Sequence, residues 1–221
     1  MDRVTDGRGP VDDFTLAELR ALDASGHFGP EHGRQRILAL EEALQEFPDL
    51  PFVLELKDPR AVAPTVRLLR ARGWVGRVQV TSFHWGALLD ALSLERRLSA
   101  GFLCPALDPD LARRAVRRGI AQLCPPAKGL AAKAVAEVRA LGLQVRAYGV
   151  HEPADARRAL DAGVDGMTAD DPAALLRLLA ERGWGAASPE DWLRAIVPPA
   201  GLQPSMEPAP SAGGQGRWAA W

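Results

Sequence analysis

Glu55 and Lys57 stand two residues apart in the run Phe52-Val53-Leu54-Glu55-Leu56-Lys57. Alternate residues of an extended strand share a face, so Val53, Glu55 and Lys57 point one way and Leu54 and Leu56 the other. A carboxylate and an ammonium on one face can form a structural ion pair, and the ammonium can also hold a phosphate oxygen. Phe83 and Tyr148 lie near the ends of two further apolar runs, where their rings can wall a pocket or simply pack. Of the histidines, His27 and His32 fall in a Gly-rich loop, His84 follows Phe83, and His151 follows Val150. Loop histidines are read as exposed, and His151 as a solitary imidazole with nothing to pair with it. Asp170 is read as orienting a loop and Asp171 as a helix cap. Cys104 and Cys124 end two consecutive apolar runs and are read as free thiols, too few for a disulfide scaffold.

These residues need strands to hold them, and the pattern supplies strands. Short apolar runs begin at Phe52, Val78, Gly101, Ile120, Val145 and Gly163. Their spacing leaves room for one helix between each pair. Helical stripes fall in those gaps: Val62, Val66 and Leu69; Leu111, Ala115 and Val116; Ala132, Val135, Val138 and Leu141; Ala156, Ala159 and Leu160. Gly73, Gly119, Gly142, Gly163 and Gly183 stand where helix-stop glycines belong, and Asp171-Pro172 reads as a helix start. Strand–helix units in series predict a parallel α/β sheet. No Gly-rich phosphate fingerprint follows any strand, which favours a closed barrel over a doubly wound sheet. A barrel of eight units runs to about 250 residues. The six runs are two units short.

Three segments are expected. Residues 1–50 are a connecting excursion, with a Thr15-x-x-Glu18 capping box and a helix from Leu38 to Phe47. Residues 51–184 hold the six units. Residues 185–221 give a short helix from Ser188 to about Ile196 and then a Pro/Gly/Ala-rich tail expected to be disordered, with Trp218 and Trp221 at its end. A formal net charge of −1 gives no basic excess, so no nucleic-acid partner is expected. No apolar run is long enough to span a bilayer, and Met1 to Asp6 lack an apolar signal core. A cytoplasmic location is the expectation, subject to any upstream signal.

Read as text, the chain resembles the glycerophosphodiester phosphodiesterase family. Asp2 to Val11 resembles the family's DRTTxGxGxV segment, and Thr15 to Ala24 its TLxELxxLDAG. Leu40 to Leu44 sits where PTLEEVL belongs, with Leu38 and Ala39 in place of Pro-Thr. Leu54 to Lys57 resembles xEIK, Thr81 to Phe83 the SF strand end, Gly149-Val150 the WTVN segment, and Gly163 to Pro172 GVDGIxTDxP.

The resemblance implies a (β/α)8 TIM barrel whose first two strand units are missing from this chain. It implies metal-dependent hydrolysis of a small-molecule glycerophosphodiester to glycerol 3-phosphate and an alcohol. It assigns Glu55 to a divalent cation, Mg2+ or Ca2+, and makes Lys57, Phe83 and Tyr148 the substrate-side residues. Tyr148 takes the place of the family's tryptophan, and His151 that of an asparagine. The family's His-Arg-Gly, Glu-x-Asp and His-Asp all precede the DRTT segment. Its catalytic histidines therefore match nothing here, and no catalytic residue is assigned. Met1 falls where the family has an apolar residue, so a GTG or TTG codon taken for a start, with the missing motifs encoded upstream, is one expectation. As this truncated chain the enzyme is expected to be inactive; the alternative is a non-catalytic remnant barrel that binds a phosphate ligand or a partner. A third reading is an unrelated barrel that holds an anion with Gly163 and Gly166.

Overall fold

The computed structural model describes residues 1–26 and 33–182. His27, His32, Gly183, the helix expected from Ser188 and the tail with its two tryptophans lie outside the described residues. The chain divides into two compact units, Met1–Asp49 and the remainder from Leu50.

The first unit carries α1 (Leu16–Ala21) and α2 (Leu40–Glu46). Thr15 caps α1 as its spacing predicts: its hydroxyl accepts from the Glu18 amide and the Glu18 carboxylate accepts from the Thr15 amide. Asp23 ties its loops, accepting from the amides of Ser25 and Gln35. α2 begins two residues later than the apolar pattern suggests, at the point where Glu42 reaches back to the Ala39 amide.

The second unit runs β1 (Phe52–Glu55), α3 (Val62–Ala71), β2 (Val78–Ser82), α4 (Trp85–Leu94), β3 (Ser99–Leu103), α5 (Pro109–Arg117), β4 (Gln122–Cys124), α6 (Ala132–Ala140), β5 (Gln144–Val150), α7 (Pro153–Ala162), β6 (Gly166–Ala169) and α8 (Pro172–Glu181). All five strand pairings are parallel, and the six strands lie side by side in chain order. A doubly wound sheet reverses its strand order partway; this one never does. Because crossovers between parallel strands are right-handed as a rule, an order that never reverses puts the helices on one face, and the sheet curls away from them. The result is a curled half-barrel of the TIM type.

Alternation decides what fills each face. Val78, Val80, Ala100, Leu123, Val145 and Ala147 are fully buried toward the helices. Val66 and Leu69 of α3, Leu88 and Ala91 of α4, and Val135 and Val138 of α6 meet that layer. The stripe expected on α5 needs correction. Ala112 and Ala115 are buried, whereas Leu111 and Val116 flank them half-exposed, so the inward residues of that helix are the small ones. Leu141 is likewise exposed. Gly73, Gly119, Gly142 and Gly163 all adopt the left-handed conformation that ends a helix. For Gly163 this shifts the expected strand, which starts at Gly166.

The concave face is polar. Gln79, Thr81, Ser99, Gln122 and Gln144 are buried there beside Arg146. Gln79 donates to Ser99 Oγ at 3.2 Å, and Gln122 to Gln144 Oε1 at 3.3 Å. Gly101 leaves them room. A Cβ there would come within 3.1 Å of Gln122 Oε1, 3.2 Å of Thr81 Cγ2 and 3.3 Å of Cys124 Sγ. Gly101→Ala is therefore expected to lower unfolding free energy by about 1–3 kcal/mol through overpacking, read as a lower urea midpoint at unchanged slope.

An acidic clamp braces the helix layer. Glu95, after α4, accepts from Arg97 Nε and Nη2, both at 2.9 Å, and from the Arg97 amide at 3.0 Å, with Arg70 of α3 at 3.7 Å. The Arg97 guanidinium holds the Glu95 carboxyl down from 4.5 to about 2. A depressed carboxyl stabilises the fold above its unfolded value, and that stability is lost as pH falls through the folded one. Between pH 4.5 and 2 the wild type should thus lose about 1 kcal/mol that Glu95→Gln never had, the exposed arginines screening the rest. Urea midpoints of the two proteins should converge across that window.

Candidate active site

In parallel (β/α) sheets the chemistry gathers where the strands end. Glu55 ends β1 in register with Thr81, whose neighbour two residues on is Phe83. Leu56 is buried toward the helices, so Glu55 lies on the concave side. Lys57 Nζ stands 3.8 Å from Glu55 Oε2, the lysine side chain being 68% exposed. From the far side of the mouth, Tyr148 of β5 meets Phe83 edge to face, with ring centroids 5.6 Å apart at 83°. The four residues expected to form the site thus fall into two contacting pairs on strand ends that share one face. Phe83 is 52% exposed and Tyr148 half-buried, so their rings form a wall open to solvent.

The Glu55 carboxylate by itself does not make a cation site. No group of three His, Cys, Asp or Glu side chains that could hold a metal occurs among the described residues. A hard divalent ion takes six or more oxygens, and the neighbour within reach of Glu55 is an ammonium. The residues present therefore supply one donor of a set, not a site.

His151 is not solitary. Its Nδ1 lies 2.6 Å from Asp170 Oδ2, across the ends of β5 and β6. A one-residue bulge produces this pair. Arg146 and Ala147 pair with Gly166 and Met167, but Val150 pairs with Ala169, so β5 carries one extra residue. Gly149 absorbs it at φ +69. Beyond the bulge Val150 is buried and His151 takes the side of Asp170. The Asp170 hydrogen bond, with Asp155 and Glu152 nearby, pushes the imidazole up from its ordinary value. Asp171 caps α8 by accepting from the Ala174 amide at 2.8 Å, as its spacing predicts.

The thiols are not nucleophiles. Cys104 and Cys124 are free and buried, and the Cys104 amide donates to the Cys124 carbonyl at 2.9 Å. Burial pushes the Cys104 thiol up to about 12 and that of Cys124 upward as well. His84 is the residue before α4, and its amide donates to Ser82 Oγ. Arg146 and the glutamine layer are the notable residues that the sequence reading missed. The signal was there: Gln144, Arg146 and Tyr148 alternate with Val145 and Ala147, a polar face against an apolar one.

Consecutive parallel strands, helices on one face only and a charged, aromatic-walled mouth at the strand ends define a protein of the TIM-barrel class. Residues 1–174 match the model of the Glycerophosphoryl diester phosphodiesterase family. The chain belongs to that family. It is 29% identical over 192 residues to a glycerophosphodiester phosphodiesterase of Caldanaerobacter subterraneus subsp. tengcongensis, covering 83% of this chain and 78% of that one. A Bacillus subtilis glycerophosphodiester phosphodiesterase is 28% identical over 195 residues, or 78% of this chain and 67% of the relative. Among solved structures, an Oleispira antarctica phosphodiesterase in complex with the product sn-glycerol-3-phosphate superposes with a TM-score of 0.74 at 25% identity, over 81% of this chain and 76% of that one. No helix among the described residues is long and apolar enough to cross a membrane.

Proposed function

We propose that this chain is the larger part of a hydrolase that cleaves a glycerophosphodiester to glycerol 3-phosphate and an alcohol. The likeness to the O. antarctica phosphodiesterase, described with that product bound, is the observation that carries this reading. In it the six strands are the third to eighth of an eight-strand ring. Lys57 holds a phosphate oxygen, and Phe83 and Tyr148 flank the glycerol or the leaving alcohol. Glu55 gives one carboxylate to a divalent cation, Mg2+ or Ca2+, which when bound polarises phosphoryl oxygens. Its remaining ligands, and the acid and base of the reaction, are supplied by groups beyond the residues described here. The buried free thiols agree with a reducing, cytoplasmic setting.

That Glu55 has an ammonium as its near neighbour, with no metal-holding cluster among the described residues, favours a second reading, a barrel that binds a phosphate ligand or a partner without turning it over. One experiment separates the two. The first two strand units of the Caldanaerobacter relative are fused ahead of Met1, and glycerol 3-phosphate release from glycerophosphocholine is followed with Mg2+ or Ca2+. Turnover by the fusion that Glu55→Gln abolishes supports the hydrolase. A folded fusion that binds glycerol 3-phosphate and releases none from the diester supports the binding barrel.

A further inference from the structure

We propose that Arg146 is an anion site, taking the oxygens of a phosphate group one side-chain layer below the mouth. The choice of phosphate over another oxyanion rests on the hydrolase reading; the site itself rests on geometry. Arg146 lies on β5 two residues before Tyr148 and is 8% exposed. Its Nε donates to Gln122 Oε1 at 3.0 Å, its Nη1 to Thr168 Oγ1 at 2.5 Å, and its Nη2 points to Cys124 Sγ at 3.9 Å. All three partners are uncharged. A guanidinium has five N–H groups in a planar fork, so one on each Nη is left over.

The charge is unmatched as well as the donors. Among the described residues on the concave face of the six strands, the other charged side chain is Glu55, and Lys57 already answers it at 3.8 Å. The titratable group that Arg146 meets is the Cys124 thiol at 3.9 Å, whose pKa burial pushes up. A cation kept from water with neutral acceptors alone is costly. It is correspondingly a strong receptor for an oxyanion, which the fork can meet with two parallel hydrogen bonds. Bracing the layer of glutamines requires only the Nε bond to Gln122, and the contacts to Thr168 and Cys124 leave one N–H on each Nη over. Tyr148, two residues further along the same face, meets Phe83 edge to face at the mouth.

The test uses the whole 221-residue chain, with inorganic phosphate and glycerol 3-phosphate as probes and chloride at equal ionic strength as the control. Calorimetry should read saturable binding of a phosphate probe, and the Arg146 Nε–Hε signal, assigned in the wild type by triple-resonance correlation to its own backbone, should move with it. Arg146→Gln should weaken binding roughly 10- to 100-fold, and Arg146→Lys less, because it keeps the charge and loses the fork. Preference for glycerol 3-phosphate marks an ester as the ligand, and equal affinity marks free phosphate; either keeps the site. Unchanged affinity in both variants overturns the proposal. So does a wild-type Arg146 signal that stays still through the titration, which decides the matter even if neither variant folds. Diester hydrolysis enters none of these readouts. A fusion carrying the relative's first two strand units that binds phosphate through Arg146 and hydrolyses nothing overturns the hydrolase reading alone.

Discussion

Replacing Asp165 by Ala should lower the unfolding free energy by about 2–4 kcal/mol, a large fraction of a small domain's stability. Asp165 is 4% exposed and sits in the link between α7 and β6. Its Oδ2 accepts from the Val145 amide at 2.8 Å, its Oδ1 meets Arg139 Nε of α6 at 3.0 Å, and its own amide donates to the Val145 carbonyl at 2.8 Å. One carboxylate thus fastens the beginnings of two strands and the helix beside them. Alanine leaves the Val145 N–H buried without a partner and opens a small void, two costs with the same sign. Asparagine keeps an oxygen for Val145 and should lose about half as much. Burial raises the Asp165 carboxyl, so the native state holds that proton more tightly than the unfolded chain. This contribution favours the fold as pH falls, opposite to Glu95. Urea unfolding of wild type, Asp165→Ala and Asp165→Asn at pH 7 and pH 4 reads all of it.

The second large effect is catalytic. Residues 1–221 alone, with Mg2+ or Ca2+, should hydrolyse glycerophosphocholine at the rate of buffer. That is at least about a million-fold below a working enzyme. Attack on a phosphodiester needs its developing charge spread, a base on the water and an acid on the leaving oxygen. The described residues offer one carboxylate with an ammonium 3.8 Å away and no metal-holding cluster. The His151–Asp170 pair does not substitute for these, because it offers one imidazole, already bonded to its carboxylate, where the reaction needs both an acid and a base. Glycerol 3-phosphate release, followed by a coupled dehydrogenase, should rise above background when the strand units of the relative are fused, and not before. Release by the unfused chain would mean that His151 or a residue outside the described ones does more than is assigned here.

The fold was largely legible because alternation and helical spacing are local. Val62, Val66 and Leu69 share a stripe in the sequence and are buried together in the structure. The stop glycines and the Asp171-Pro172 start follow from backbone sterics that no tertiary contact overrides. The α5 stripe failed because hydrophobicity ranks Leu above Ala, while close helix–sheet packing there selects Ala112 and Ala115. The site was half legible. Glu55 with Lys57 came from spacing two apart on a strand, which survives in any register. His151 with Asp170 did not, because their meeting depends on a bulge and on a neighbouring strand 19 residues on. Arg146 was visible as alternation, but its want of a counter-ion is a property of three strands at once.

That every strand lies between its neighbours in the chain bears on how the protein is made. Each new strand emerging from the ribosome finds its template already formed just behind it, with no need to wait for a distant segment. Synthesis at about 5–20 residues per second leaves roughly one to four seconds per unit, long against hairpin or helix formation. The sheet can therefore grow by accretion, one strand and one helix at a time, in the order of translation.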